Sequence, residues 1–295
     1  MDEIELTILM SCLNEQQTVA QCVLPAISAV VLGALASSIP AVFAGLWYSL
    51  EFRTKKKNPP RKEEKSVDEI ELTILMPCLN EQQTVAQCVL SARQFLEKSG
   101  VSGEVLIADN GSTDNSAALA REAGARVVSV AERGYGNALI GGIKAARGKF
   151  IIMGDCDMSY DFLHLDGFVE KLREGYPLVM GCRLDNIAPG AMPFSHRYIG
   201  VPFLSMLGRL RFHTKVRDFH CGIRGFDREK ALALGLSCGG MEFATEIIGK
   251  FALSGAEIAE IPVTLSPDGR SGKPHLRTIR DGLRHIRYIF FGSRK

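Results

Sequence analysis

The sequence predicts an α/β fold: a doubly wound, mainly parallel sheet with helices on both faces, preceded by a transmembrane helix. Three observations carry this reading. From Asp68 onward, short apolar runs alternate with helix-like segments. The first polar residues after those runs are carboxylates and amides: Asn80 and Glu81, Asp109 and Asn110, Asp155 and Asp157. Strand-helix alternation produces parallel sheets, and ligands of open α/β sheets bind beyond the carboxyl ends of the strands. Finally, no charged residue interrupts Pro25 to Leu50. A bilayer core takes roughly 20 apolar residues in helix, so this run is long enough to span.

In chain order, the first feature is a repeat. "DEIELTILMSCLNEQQTVAQCVL" occupies residues 2–24 and returns at 68–90 with Ser11 replaced by Pro77. Both copies read as a strand, a turn and a helix start. A strand buried on both faces has one central place in a sheet. The second copy is continuous with the alternating segments after it, so the working strand is assigned to Leu72 to Met76, and residues 1–24 are a duplicate. The span at 25–50 ends in Trp47 and Tyr48, which suit the headgroup level, and the basic "EFRTKKKNPPRK" comes next. Positive flanks stay inside, which sets the downstream chain in the cytoplasm, membrane-associated. Residues 51–67 read as a charged, proline-containing linker.

The domain from 68 to 270 then runs "LTILMPCLN" to "EQQTVAQCVLSARQFLEKS", "EVLIADN" to "STDNSAALAREAG", "RVVSVAE" to "GNALIGGIKAARG", and on to "KFIIMGDCD". Residues 271–295 predict a basic amphipathic helix: Leu276, Ile279, Leu283, Ile286 and Phe290 share one face, with Arg277, Arg280, Arg284 and Arg287 around the other. Such a helix lies in a membrane interface. Alternatively it packs on the domain with its arginines in solvent.

Composition narrows the classes. The chain has 295 residues, 46% hydrophobic and 23% charged, as in folded proteins. The net charge is +2, with basic residues clustered at Arg53–Lys62 and from Arg270 onward, so anionic surfaces or phosphates are expected partners and nucleic acid is not. The eight cysteines form no CxxC pair or zinc spacing, which favours a reduced compartment. "RGYGNALIGGIKAARG" fits neither GxGxxG nor a P-loop, which counts against a dehydrogenase or an ATPase.

Within the domain, "GDCDMSY" places Asp155 and Asp157 one residue apart after the buried run "FIIM". Side chains at i and i+2 of an extended chain leave from one face, so both can reach one hard cation or its water shell. "ADNGSTDNS" offers Asp109 at a strand end, Gly111 for a turn and Ser112 or Asp114 as a helix cap. Glu242 and Glu246 stand four apart on a predicted helix, either facing the site or as a like-charge surface pair.

With these blocks in order, from Asp68 to about Phe291, the chain resembles the family 2 glycosyltransferases of GT-A fold. It is most similar to the branch with dolichyl-phosphate mannose synthase and the bacterial polyprenyl-phosphate glycosyltransferases. The motifs are "PCLNE", "ADNGSTD", "GYGNALIGGIKAARG", "GDCD", "MGCR", "VRDFHCGIRGF", "GMEFATEI" and "PDGRSGKPHLRTIRDGLRHIRYIF".

The resemblance implies a hexosyltransferase using a nucleotide-sugar (GDP-mannose or UDP-glucose) and a polyprenyl-phosphate acceptor. Pro77, Asn80, Glu81, Asp109, Asn110, Ser112 and Asp155 would bind the nucleotide-sugar. Asp155, Asp157 and Ser159 would bind Mg²⁺ or Mn²⁺. Arg183, Arg217, Cys221, Arg270 and Lys273 would meet the acceptor phosphate, with Arg270 and Lys273 closing from a loop. Asp157, Arg183, Arg217 and Glu246 are the implied catalytic set. Cys221 stands where serine is usual, and Phe219-His220 where proline and a small residue are usual. The other readings are a non-catalytic nucleotide-binding or scaffold protein of the same shape, and a transferase to a soluble or protein acceptor, which needs a base at Glu242 or Glu246.

Overall fold

The computed structural model describes residues 70–270 and 278–292. The duplicate at 1–24, the apolar run at 25–50, the linker at 51–67 and Lys273 lie outside the described residues. Among the described residues, no helix is long and apolar enough to cross a membrane.

Seven strands among the described residues form one sheet in the order β3-β2-β1-β4-β6-β5-β7. They are β1 (Leu72–Cys78), β2 (Gly103–Asp109), β3 (Arg126–Ser129), β4 (Phe150–Met153), β5 (Leu178–Cys182), β6 (Arg224–Asp227) and β7 (Ile258–Pro262). The helices are α1 (Val85–Ser99), α2 (Ser116–Glu122), α3 (Tyr135–Ala145), α4 (Asp166–Arg173), α5 (Val201–Phe212), α6 (Arg228–Ala233), α7 (Phe243–Leu253) and α8 (Thr278–Arg287). One π-helical turn, His196–Gly200, leads into α5, and a second, Tyr288–Gly292, ends α8.

β1 is the second copy of the repeat and sits in the sheet's interior, parallel to β2 and to β4. Ile74, Leu75, Ile151, Ile152, Leu178 and Val179 are all wholly inaccessible, so both faces of the sheet's centre are covered. This explains why β1, β4 and β5 read as unbroken apolar runs. α1 begins at Val85, later than the helix-like text, because residues 79–84 form the turn that carries Asn80 and Glu81. Its buried residues, Val85, Cys88, Val89, Ala92 and Phe95, keep the helical period, and Gly100 ends it in the left-handed region at φ 65°.

The sheet is mainly parallel, as the sequence predicts, with one exception: β6 runs antiparallel between β4 and β5. The chain enters β6 from the edge where β4 ends, so residues 218–222 lie beside the Asp155 turn. The terminal helix packs on the domain, but by its polar side, which corrects the reading in which the apolar stripe would face the domain and the arginines the solvent. Asp281, His285, Tyr288 and Ile289 are buried, while Ile279 and Leu283 are 80% and 61% exposed. His285 Nδ1 bonds Thr245 Oγ1 (2.8 Å), and Arg284 pairs with Glu242 through Nε (2.7 Å). Polar anchoring has thus overridden the apolar stripe.

Candidate active site

The register sets Cys78 level with Asp109, so the turns after β1 and β2 leave side by side. They are laced together. Asn80, in the left-handed region at φ 58°, donates its N–H to Ser112 Oγ (3.0 Å), and its Oδ1 accepts from Thr113 N–H (2.8 Å). Glu81 N–H donates to Ser116 Oγ (2.7 Å), and Ser112 N–H donates to Asp109 Oδ1 (3.3 Å). Asn and Ser are the residue types that hold such turns through side-chain to backbone bonds. Asn110 is taken up by structure: its amide donates to the carbonyls of Val130 (3.1 Å) and Glu132 (2.8 Å) and accepts from Gly134 N–H (2.7 Å). Pro77 lies at the end of β1, and its carbonyl accepts from the Cys156 thiol (3.1 Å).

β4 ends beside them, and the turn after it adds Asp155 and Asp157 to Glu81 in one place. Asp157 Oδ1 accepts from Ser159 N–H (3.0 Å), which fixes its rotamer. The segment 266–270 is zipped to this turn, Gly269 N–H to Asp157 O (2.8 Å) and Ser266 N–H to Ser159 O (3.0 Å). That pairing delivers Arg270, whose guanidinium bridges Glu81 Oε1 (3.0 Å) and Asp157 Oδ2 (3.0 Å) and also meets Asp268 (3.1 Å). Burial pushes the Glu81 carboxyl up to about 7, with Arg270 opposing and the Asp157 charge adding. Asp155 is pushed up to about 6 by burial and then by the Asp157 charge, while a Tyr135 hydrogen bond pulls it back. Like charges crowded out of water hold protons more tightly, so the cluster is short of positive charge. Among the described residues no group of three or more His, Cys, Asp or Glu side chains converges on one metal position, and a guanidinium already spans two of these carboxylates. Asp155 and Asp157 are the paired hard oxygen donors that Mg²⁺ or Mn²⁺ takes together with phosphate oxygens and water.

Gly222 explains a different closeness. A Cβ there would stand 2.6 Å from Asp155 Oδ2 and 2.8 Å from the Tyr160 ring. Its N–H donates to Tyr160 Oη (2.8 Å). Tyr160 Oη also accepts from Arg183 Nη1 (3.3 Å). Arg183 donates Nε to Asp218 Oδ2 (2.9 Å) and Nη2 to the His220 carbonyl (2.7 Å). Asp218 is wholly buried and Arg183 nearly so, and the desolvated pair holds Arg183 protonated against the pull of burial. Most of the guanidinium's donors are therefore occupied in fixing the 218–222 loop beside Asp155.

Three implied roles change. Cys221 is inaccessible and burial pushes its thiol up to about 12, so it packs behind the loop and is not presented to a phosphate. Arg217 faces outward in a two-pronged pair with Asp185 (3.1 and 3.3 Å), both partners more than half exposed. Glu246 is buried and saturated by Ser237 N–H (3.0 Å), Cys238 N–H (2.7 Å) and Lys250 (2.9 Å). A carboxylate with that many donors cannot serve as a free base. It pins the 237–240 loop, on which the start of α3 rests so closely that a Cβ on Gly136 would meet the Cys238 carbonyl at 1.9 Å. This contact places Tyr135, and hence its bond to Asp155.

Sequence reading passed over Asp218, Tyr160 and Tyr135 as functional residues. Asp218 and Tyr160 lie inside the quoted motifs "VRDFHCG" and "GDCDMSY". Tyr135 signals itself only as the first residue of the helix after a glycine. Arg224, beside them, donates to the carbonyls of Ala244 (3.0 Å) and Cys221.

The family model of Glycosyl transferase family 2 matches residues 73–235. The low-salt glycan biosynthesis hexosyltransferase Agl6 of Haloferax volcanii is 38% identical over 224 residues, 75% of this chain and 54% of that protein. The dolichyl-phosphate hexose transferase of the same organism is 29% identical over 201 residues, 65% of this chain and 82% of that one. The chain thus spans about half the length of Agl6. Among solved structures, glucosyl-3-phosphoglycerate synthase of Mycobacterium tuberculosis in complex with UDP superposes with TM-score 0.59 at 22% identity, covering 75% of this chain and 79% of that one. Its complex with Mn²⁺, UDP-glucose and phosphoglyceric acid gives 0.58 at 23%, covering 73% and 77%. At that identity the likeness shows the fold, an α/β mixed sheet of GT-A type.

Proposed function

The chain belongs to glycosyl transferase family 2, and from that premise we propose that it moves a hexose from a nucleotide-sugar, GDP-mannose or UDP-glucose, to a polyprenyl phosphate, dolichyl or undecaprenyl. The transfer takes place at the cytoplasmic membrane face and inverts the sugar carbon. The observation that carries this is the cluster of Glu81, Asp155 and Asp157 at the carboxyl edge of β1 and β4, bridged by Arg270. The name of the dolichyl-phosphate hexose transferase among its relatives supports the acceptor class.

In the reaction, an oxygen of the acceptor phosphate forms the bond to the anomeric carbon as the bond to the nucleoside diphosphate breaks. A phosphate oxygen is ionised at neutral pH, so no general base is required. That agrees with a site in which Glu246 is saturated and Glu242 is paired with Arg284. Asp155 and Asp157 would hold Mg²⁺ or Mn²⁺, which when bound neutralises the departing diphosphate. Ser159 keeps Asp157 in place through its N–H. Asn80, Asp109 and Ser112 form the laced floor for the nucleotide. Arg270, held beside the carboxylates by the 266–270 zipper, supplies a second positive charge to the leaving group. Arg183 acts through the loop it fixes, because its donors are taken up by Asp218, His220 and Tyr160.

The test is transfer of labelled hexose from GDP-mannose and from UDP-glucose into organic-extractable lipid, with added polyprenyl phosphate, with and without Mn²⁺. Lipid label that needs the metal and disappears in Asp157→Asn is expected. A folded chain that gives label from neither donor would overturn the reading.

A further inference from the structure

Two thiols meet beneath the carboxylate cluster. Cys78 closes β1, and Cys156 stands between Asp155 and Asp157. The β1–β4 register pairs Leu75 with Met153, and Gly154 N–H continues it by donating to the Leu75 carbonyl (3.1 Å). Three residues on, the same register sets Cys156 beside Cys78. The Cys156 thiol reaches the carbonyl of Pro77 (3.1 Å), and the two thiols are themselves in hydrogen-bond contact. Side chains level with each other on neighbouring parallel strands leave the sheet on one face, with the strands about 4.8 Å apart. A disulfide takes Cα separations of about 4.4–6.8 Å, so this pair can be joined without moving either strand.

Their place decides what such a bond does. Both residues are 2% exposed, but Cys78 Sγ lies 4.0 Å from the hydroxyl of Ser112, which is half-buried in the turn after β2. Cys78 is therefore the sulfur that a small oxidant meets first. Cys156 shares its peptide bonds with Asp155 and Asp157. Turning its side chain from the Pro77 carbonyl toward Cys78 also turns the peptides that aim both carboxylates. A cation site tolerates little of this, because Mg²⁺ demands near-octahedral geometry.

We infer that Cys78 and Cys156 are a modification site: a peroxide converts them to a disulfide that weakens cation binding at Asp155 and Asp157, and a dithiol reverses it. The bond is read from strand register and thiol contact; its effect on the cation rests on the metal reading above.

The Cys78 sulfur takes one oxygen of hydrogen peroxide as the O–O bond breaks. The thiol proton goes to the departing oxygen, which leaves as water, and a sulfenic acid remains. The Cys156 sulfur then forms the S–S bond as the S–O bond breaks, and its proton leaves with that oxygen as a second water. The two thiols lose two electrons and the peroxide gains them. Reduction runs through a mixed disulfide with the external dithiol, which ends as a disulfide itself. In a reducing compartment such a bond is transient.

The full chain is treated with hydrogen peroxide, its free thiols are alkylated, and it is digested with trypsin. Peptides 66–93 and 150–171 are expected as one linked species, lighter than their sum by two hydrogens, with fragment ions placing the bond at Cys78 and not Cys88. Cys12 of the first copy lies in a different peptide, 1–53, and is told apart by mass. Calorimetry on the undigested chain is expected to show Mn²⁺ affinity falling roughly tenfold or more on oxidation, the scale on which disturbed ligand supports act. Dithiothreitol should restore it. Cys156→Ala should bind Mn²⁺ equally before and after peroxide, and Cys78→Ala repeats that control should the first variant fold poorly.

Free thiols at both positions after peroxide, oxidation of either to a sulfinic acid, or linkage of Cys156 to Cys88 or Cys12 would overturn the proposal. So would a 78–156 bond that leaves Mn²⁺ affinity unchanged. No sugar donor or acceptor is present, so failure of transfer does not bear on the result. A chain that binds Mn²⁺ in neither state overturns the metal reading, and the effect on the cation with it, while the mapped bond stands as a modification site.

Discussion

Asp218→Asn tests how the acceptor side of the site is built. The Asp218 carboxylate is wholly buried and accepts Arg183 Nε at 2.9 Å, Arg183 Nη2 at 3.4 Å, and the backbone N–H groups of Arg183 (3.3 Å) and His220 (3.2 Å). Asparagine keeps the shape and removes the charge. Arg183 cannot shed its proton, so the variant carries a buried guanidinium without its counter-ion, a loss of roughly 3–5 kcal/mol. With a urea slope of about 2 kcal/mol/M the midpoint falls by roughly 1.5–2.5 M. Urea unfolding of the full chain, monitored by circular dichroism, measures it. Arg217→Ala is the internal control: its pair with Asp185 is exposed on both sides, so the change should stay below about 1 kcal/mol. Joint replacement by Arg183→Met and Asp218→Leu should recover most of the stability, because no lone charge remains. A midpoint for Asp218→Asn no lower than that of Arg217→Ala would refute the reasoning. Arg183 would then be hydrated, and free to bind an acceptor phosphate itself.

The carboxylate cluster sets a pH dependence. Glu81 and Asp155 hold protons up to about 7 and about 6, above their unfolded values of 4.5 and 3.8. Their contribution to stability is complete below about pH 4 and is lost as pH rises through 6 to 7. The same protons must leave before a cation binds, so the gain in melting temperature on adding Mn²⁺ should be larger at pH 8 than at pH 5.5; equal gains would show that these carboxyls do not take the metal. Gly222→Ala places a methyl 2.6 Å from Asp155 Oδ2, and overpacking there should cost about 1–3 kcal/mol and weaken Mn²⁺ binding by calorimetry, while unchanged affinity would show that Asp155 is dispensable to it. Glu246→Gln should lower stability by roughly 1.5–3 kcal/mol through its charge-assisted bonds and leave the pH profile of transfer unaltered in shape; a lost ionisation in that profile would make Glu246 a base after all.

The carboxylate cluster was legible because parallel strands end at one edge. The register Cys78 to Asp109 and the β1–β4 pairing carry Glu81, Asp109, Asp155 and Asp157 to that edge, whatever the loops do. The arginines were not legible in the same way. Arg183, Arg217 and Arg270 look alike in sequence, yet one is buried against Asp218, one is a surface pair and one bridges the carboxylates. A guanidinium's role depends on which carboxylate lies within about 3 Å, and those partners are 35, 32 and 113 residues away. Glu246 shows the same limit, since its spacing from Glu242 said nothing of the backbone amides at 237–238 that occupy it.

By itself the sequence determined the alternation of strands and helices, the place of the second copy of the repeat in the sheet's interior, and the carboxylates at the strand ends. These come from local periodicity and from the burial of apolar runs, which neighbours along the chain suffice to set. Tertiary structure alone decided the reversed direction of β6, the division of labour among the arginines, and which side of α8 faces out. Each of these is a contest between contacts remote in sequence. In α8 the bonds of His285 to Thr245 and of Arg284 to Glu242 prevailed over the apolar stripe, and the hydrophobic face was left for something other than the protein's own core.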